Sequence, residues 1–129
     1  MIQTEQLSDS NKAIIEFKKM REHYLTNANE TIQKKEFRKA SELLWGSITQ
    51  TLKLLAATHN AKIYSHDQFR KFVREVAKEV FDKNLEKEFS FLETLHKNFY
   101  DEMISEEDFA EYYKKAIDFI NKIDILSKK

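Results

Sequence analysis

Apolar residues recur every three or four positions along nearly the whole chain, the spacing that lines one face of an α-helix. Short breaks divide this pattern into five stretches. The first, over about 9–32, carries Ile14, Phe17, Tyr24, Leu25, Ala28 and Ile32 on one stripe. The second, over about 35–58, repeats Phe37, Ala40, Leu44, Ile48, Leu52 and Leu55. HNAKIYS then interrupts the pattern. Ser65 with Gln68 forms a capping-box pair, in which each side chain can satisfy a backbone N–H left over at a helix start. It opens a third helix over 65–82, with Phe69, Phe72, Val73, Val76 and Val80 on its apolar side. DKN separates this from a fourth helix over 85–102. Ser105, followed by Glu106, Glu107 and Asp108, opens a fifth over 105–126, where the carboxylates meet the positive helix end. Its stripe is Phe109, Tyr112, Tyr113, Ala116, Ile120 and Ile123. Helices joined by breaks this short pack against their neighbours in opposite directions. The expected fold is therefore all-α, a single-domain antiparallel bundle of about five helices.

Composition sharpens this picture. The 129 residues include one glycine and no proline, where average usage is about 7% and about 5%. Sheets need those turn residues; helices do not. One chain of this length is large enough to bury a single core without staples. Lys+Arg and Asp+Glu both number 22, so the formal net charge is zero. A nucleic-acid coat domain would be strongly basic, which leaves room only for a local basic patch. The absence of cysteine excludes disulfides, thiolate metal sites and a cysteine nucleophile. The opening MIQTEQLSDSNK lacks the basic and then apolar arrangement of a signal peptide. No apolar run approaches the roughly 18 residues of a bilayer span. The expectation is a soluble cytoplasmic protein without a membrane partner.

The single glycine, Gly46, stands beside the single tryptophan, Trp45, inside the second predicted helix. A glycine within a helix costs roughly 0.5–1 kcal/mol relative to alanine. It is tolerated where the missing side chain lets another backbone, or a bulky ring such as that of Trp45, come close. Trp45-Gly46 is therefore expected either to pack tightly within one subunit or to mark a dimer contact.

The stretch KASELLWGSITQTLKLLA, Lys39 to Ala56, followed by SHDQF, Ser65 to Phe69, resembles the archaeal PaREP family. A lysine-alanine-serine-glutamate helix start and a tryptophan-glycine pair recur in that family. LHKNFYDE, Leu95 to Glu102, is similar to its histidine-x-asparagine-phenylalanine-tyrosine-acidic segment. The resemblance covers about 36–102 and implies an HEPN-like helical bundle, a group that often forms homodimers. It implies little about activity.

Ribonucleases of the wider HEPN group carry an arginine followed, after a gap of about four to six residues, by a histidine. There a histidine can move a proton at the ribose hydroxyl while the arginine stabilises developing phosphate charge. Before His96 that window holds Phe89, Ser90 and Phe91; before His23 it holds Glu16, Phe17 and Lys18. For His59 it is Leu52, Lys53 and Leu54, and for His66 it is His59, Asn60 and Ala61. No arginine falls in any of them, which argues against catalysis of this type.

Helical bundles also host di-iron sites, and Glu93-Thr-Leu-His96 is a Glu-x-x-His that sets both side chains on one helix face. Such a site needs a second copy of the motif, and neither His23, His59 nor His66 has a glutamate three residues before it. No His-Glu-x-x-His zinc motif occurs either. No metal and no cofactor are expected.

His96 lies on the apolar line Phe89, Leu92, His96, Phe99. It is either a histidine with a structural partner in a core or interface, or a pocket residue. Asn98 and Asp101 fall on another helix face, so Tyr100, four residues on, is the better partner for it. In the third helix Arg70, Arg74 and Lys78 form a strip at four-residue spacing, able to meet phosphates. Glu75 and Glu79 flank the strip, and no aromatic residue interleaves with it for base stacking. A solvated face is the plain alternative.

The fourth helix carries Phe89, Phe91, Leu92, Leu95, Phe99 and Tyr100, more than one core-facing stripe needs. With 10 Phe, 5 Tyr and 1 Trp in the chain, a homodimer interface is expected to hide the surplus, Phe91 and Leu95 included. The expected function is a non-catalytic, dimeric HEPN-like binding or interaction module, an accessory to nucleotide or RNA handling, with a nucleotide, RNA or a protein as its partner. The alternative is a ribonuclease-like protein with a degenerate active site.

Overall fold

A computed structural model describes residues 2–101 and 104–128. Its helices are α1 (Ile2–Gln33), α2 (Phe37–Thr58), α3 (His66–Glu79), α4 (Leu85–Asp101) and α5 (Glu106–Ser127). There is no strand among the described residues. Two boundaries differ from the expectation by three residues or more. α1 begins at Ile2, ahead of the predicted start near 9, because apolar periodicity cannot register a polar segment that contains no glycine or proline. α3 stops at Glu79 rather than 82, because Phe81 takes a left-handed φ of 56° and turns the chain away. Residue 102, the expected last position of the fourth helix, lies outside the described residues.

The helix starts follow the sequence closely. Ser65 Oγ accepts from the Gln68 N–H at 3.2 Å, and Ser105 Oγ accepts from the Asp108 N–H at 3.2 Å. The returning half of the capping box is displaced by one residue, since Gln68 Oε1 accepts from the Tyr64 N–H at 2.6 Å. The helix ends take a less expected form. α1, α2 and α3 close through left-handed Lys35, Asn60 and Phe81, with φ of 59°, 57° and 56°. At each, crossed backbone bonds tie the last turn, as in Glu36 N–H to Thr31 O at 2.9 Å and Asp82 N–H to Ala77 O at 3.0 Å. This closure usually uses glycine. Here three side-chain-bearing residues adopt it, and a chain with one glycine still makes its turns.

α2 is the axis of the molecule. It touches α1, α3, α4 and α5, and its buried residues go all the way round: Ala40, Leu44, Trp45, Ile48, Leu52, Leu54, Leu55, Ala56 and Ala57. A helix that buries residues on so many sides belongs in a core, with Arg38 and Lys39 left exposed at its start. Its buried hydroxyls are satisfied locally, with Ser41 donating to Phe37 O at 2.8 Å and Thr51 to Ser47 O at 2.8 Å. Contacts between distant residues give the directions. α2 and α4 run antiparallel through Arg38–Phe99 and Glu42–His96, and α3 and α4 through Arg70–Glu93 and Arg74–Glu86. Phe89–Phe119 and Phe91–Tyr112 set α5 antiparallel to α4.

α1 crosses α2 at Gly46. A Cβ added there would meet the Tyr24 ring at 3.1 Å, so the ring that uses the missing side chain is that of Tyr24, not Trp45. Next to it Ser47 Oγ lies 3.3 Å from the Arg21 carbonyl of α1. α1 is also tied to α5, through Arg21–Asp124 at 2.7 Å and Tyr113–Asn29 at 2.9 Å.

Candidate functional site

Three helices bring their polar side chains together on one face. From α2 come Glu42 and Trp45, one turn apart. From the antiparallel α4 come Glu93 and His96, again one turn apart, and then Tyr100. α3 contributes His66, its first residue, and Arg70 one turn later.

Trp45 is the base of the group, 6% exposed. Its ring centroid lies 5.8 Å from that of His66, 5.9 Å from that of His96 and 5.4 Å from that of Phe89. The two imidazoles stand 6.4 Å apart, 25° from parallel. Each is braced by a carboxylate. His66 Nε2 is 2.7 Å from Glu93 Oε2, and His96 Nδ1 is 2.9 Å from Glu42 Oε2. Arg70 donates to the same Glu93 oxygen through Nη2 at 2.7 Å. The Glu93 side chain is 8% exposed, whereas His66 and Arg70 are about half exposed.

The electrostatics follow from that contrast. Burial works to raise the Glu93 carboxyl, but the hydrogen bonds and charges of Arg70 and His66 outweigh it and hold it below the usual carboxylate value. The hydrogen bond to Glu93 in turn raises Arg70. A carboxylate held charged keeps the His66 ring oriented, as a second partner orients a catalytic base. Nδ1 of His66 and Nε2 of His96 make no hydrogen bond among the described residues. Each imidazole can therefore hold or move a proton at the nitrogen that is not braced.

Beside the imidazoles a hollow of about 270 Å³ is lined by Arg70, Arg74, Glu86, Ser90 and Glu93, with Phe89 in its wall. Arg74 is 3.5 Å from Glu86. At the other end Tyr100, 64% exposed, stands edge-on to His96 with centroids 5.7 Å apart. Arg38 of α2 fixes that end of α4 by donating to the Phe99 carbonyl at 2.7 Å and the Tyr100 carbonyl at 3.0 Å.

His96, Tyr100 and Arg70, expected from the sequence as candidates, are thus brought to one face. Arg74 sits one turn further along and borders the hollow rather than the imidazoles. Trp45 is buried beneath the rings, and Leu95 is fully buried. Phe91 is stacked on Tyr112, centroids 4.2 Å apart and planes 9° from parallel, with Lys115 Nζ 4.5 Å above its ring. Gly46 faces α1. Asn98 points elsewhere, buried, donating to Ser41 Oγ at 2.9 Å and accepting from the Ile104 N–H at 2.7 Å.

Glu42 carries no signal in the sequence, His66 draws notice only as a histidine without an arginine or glutamate at motif spacing, and Glu93 takes a part other than that of a metal motif. The Glu-x-x-His pair does not act jointly, since Glu93 turns to α3 and His96 to α2. Among the described residues no group of three or more histidines or carboxylates is placed to hold a metal ion, and no helix is long and apolar enough to cross a membrane.

These features define an all-helical protein whose polar chemistry is gathered where three helices meet. The chain belongs to the archaeal PaREP1/PaREP8 family, whose sequence profile matches residues 16–120. That span takes in α2, α3 and α4 completely, and every residue of the cluster. No curated protein and no solved structure gives a match.

Proposed function

We propose that the chain is an HEPN-like cytoplasmic binding module, working as a homodimer, that takes the phosphate of a nucleotide or of RNA on the α2–α3–α4 face without breaking it down. The observation that carries this reading is the convergence of His66, Arg70 and His96 over Trp45. Arg70 and two protonatable imidazoles supply charge-assisted donors for phosphate oxygens, and the neighbouring hollow gives a phosphate group room. The exposed apolar residues Ile15 and Met20 of α1 and Ile125 of α5 support the dimer.

Calorimetric titration with a nucleoside monophosphate and a short single-stranded RNA tests this. Binding weakens with salt and is lost in His66→Ala and His96→Ala. Affinity that is flat with salt, or unchanged in both variants, would sink the proposal. Native mass spectrometry reads the dimer in the same samples.

One observation favours the ribonuclease-like alternative. Each imidazole has one nitrogen tied to a carboxylate and the other open, which suits a general acid and base acting on a 2′-hydroxyl and a leaving oxygen. Arg70 follows His66 with three residues between them, so the pair reproduces neither the order nor the spacing of the Arg-x(4–6)-His motif that this sequence lacks. Cyclic-phosphate products from RNA, absent with DNA and with His96→Ala, would establish this reading over simple binding.

A further inference from the structure

A second cavity lies away from the imidazole face, where the first half of α1 passes the end of α2 and the connection into α3. Its volume is about 640 Å³, within the range of pockets that hold small ligands. Phe17 and Ala13 of α1, Ala57 of α2 and Ile63 of the connection make an apolar lining. Ile63 is 8% exposed and Ala57 9% exposed, so this lining continues the core. Tyr64, 78% exposed, stands at the edge, its N–H tied to Gln68 Oε1.

The telling residue is Lys53. It lies between Leu52 and Leu54, which are fully or almost fully buried. Its own side chain is half-buried and lines the cavity. It makes no hydrogen bond or ion pair among the described residues. The other half-buried lysine among the described residues, Lys122, is clasped by Asp82 and Glu88 at 3.0 Å each. Partly buried ammonium groups generally have such partners. Lys62, exposed and also without a partner among the described residues, stands on the same rim, and Asp9 opposes them from α1. Two ammonium groups against one carboxylate give the rim a net positive charge.

We infer that this cavity binds a small amphipathic anion, its apolar body against Phe17, Ala57 and Ile63 and its carboxylate on Lys53. A medium-length acyl carboxylate has this chemistry. The inference is independent of the phosphate face, because none of its residues belongs to the imidazole cluster.

Octanoate is the probe, with displacement of 8-anilinonaphthalene-1-sulfonate fluorescence as the readout and octanol as the uncharged control. The expected result is saturable one-to-one binding of octanoate with Kd below about 1 mM, and octanol weaker by about tenfold or more. Lys53→Gln weakens octanoate by about tenfold, as loss of one charge-assisted bond should, while Lys53→Arg retains most of the affinity. Ala13→Phe, which fills the cavity from the exposed side of α1, blocks binding with the helical circular dichroism unchanged. The inference is overturned if octanoate does not saturate, if octanol binds equally well, or if folded Lys53→Gln or Ala13→Phe binds as the native chain does.

Discussion

His66 and His96, from successive helices, face each other at 6.4 Å across an indole that touches both. Neither ring is placed by its own helix alone. His66 is held by Glu93 of α4, and His96 by Glu42 of α2, so each helix of the site orients a group on another. Disturbing one carboxylate therefore moves a ring on a neighbouring element.

Glu93 gives the acid dependence of stability. Its carboxyl lies below the ordinary value in the folded chain, as do those of Asp82, hydrogen-bonded by Lys122, and Asp124, where Arg21 and Lys128 outweigh burial. A group depressed on folding contributes its full stabilisation above its unfolded value, about 4, and loses it as pH falls through the lower folded value. Urea midpoints should hold steady down to about pH 5 and then drop. Glu93→Gln should lower the neutral plateau by about 1–2 kcal/mol, a modest figure because both partners are half exposed, and should make the acid limb shallower. A Glu93→Gln curve parallel to the native one at all pH values would contradict the assignment.

Gly46 and Tyr24 form a coupled pair. Gly46→Ala gains about 0.5–1 kcal/mol of helix propensity but sets a methyl 3.1 Å from the Tyr24 ring. The single substitution should come out near neutral in chemical denaturation. In a Tyr24→Ala background, with the ring gone, the same change should stabilise by about 0.5–1 kcal/mol. A double-mutant cycle without coupling would show that the ring does not hold the glycine in place.

The left-handed helix ends can be improved. Phe81 is 93% exposed, so Phe81→Gly removes little packing and relieves a conformation that bulky side chains resist. A gain of about 0.5–1 kcal/mol is expected, and the same for Lys35→Gly, read as higher urea midpoints with unchanged slope. A loss at Phe81 would mean that its ring is held by something outside the chain.

Asn98 joins α4 to the start of the next connection. Asn98→Ala strips the partner from the buried Ile104 N–H and from Ser41 Oγ. The expected loss is about 2–3 kcal/mol, with early hydrogen exchange at Ile104. A change under about 0.5 kcal/mol would show that water replaces the amide.

The helices were legible because each keeps a stripe at helical spacing, and two of their starts because Ser65 and Ser105 carry the capping chemistry in their neighbours. The central place of α2 was not. Its stripe from Phe37 to Leu55 reads like that of a surface helix, and only packing shows that Trp45, Leu54, Ala56 and Ala57 are covered from other directions. The site was legible in part. His96, Tyr100 and Arg70 stood out by residue type and helix face. Glu42 and His66 did not, because Glu42 meets a partner 54 residues away and His66 one 27 residues away. No local pattern encodes such separations. His66 also reads as an ordinary first residue of a helix. Left-handed Lys35, Asn60 and Phe81 were invisible because glycine, the usual mark of that turn, is missing from all three.

The all-round burial of α2 sets a hazard while the chain is being made. α2 precedes three of the four helices that cover it, so during synthesis it has only α1 to lean on. Until α4 and α5 have left the ribosome, Leu44, Ile48, Leu52 and Leu55 present an apolar surface with no native cover, the condition in which nascent chains associate wrongly. Slow translation just after α2 would lengthen that exposure, and a chaperone that grips short apolar segments would find its best foothold there.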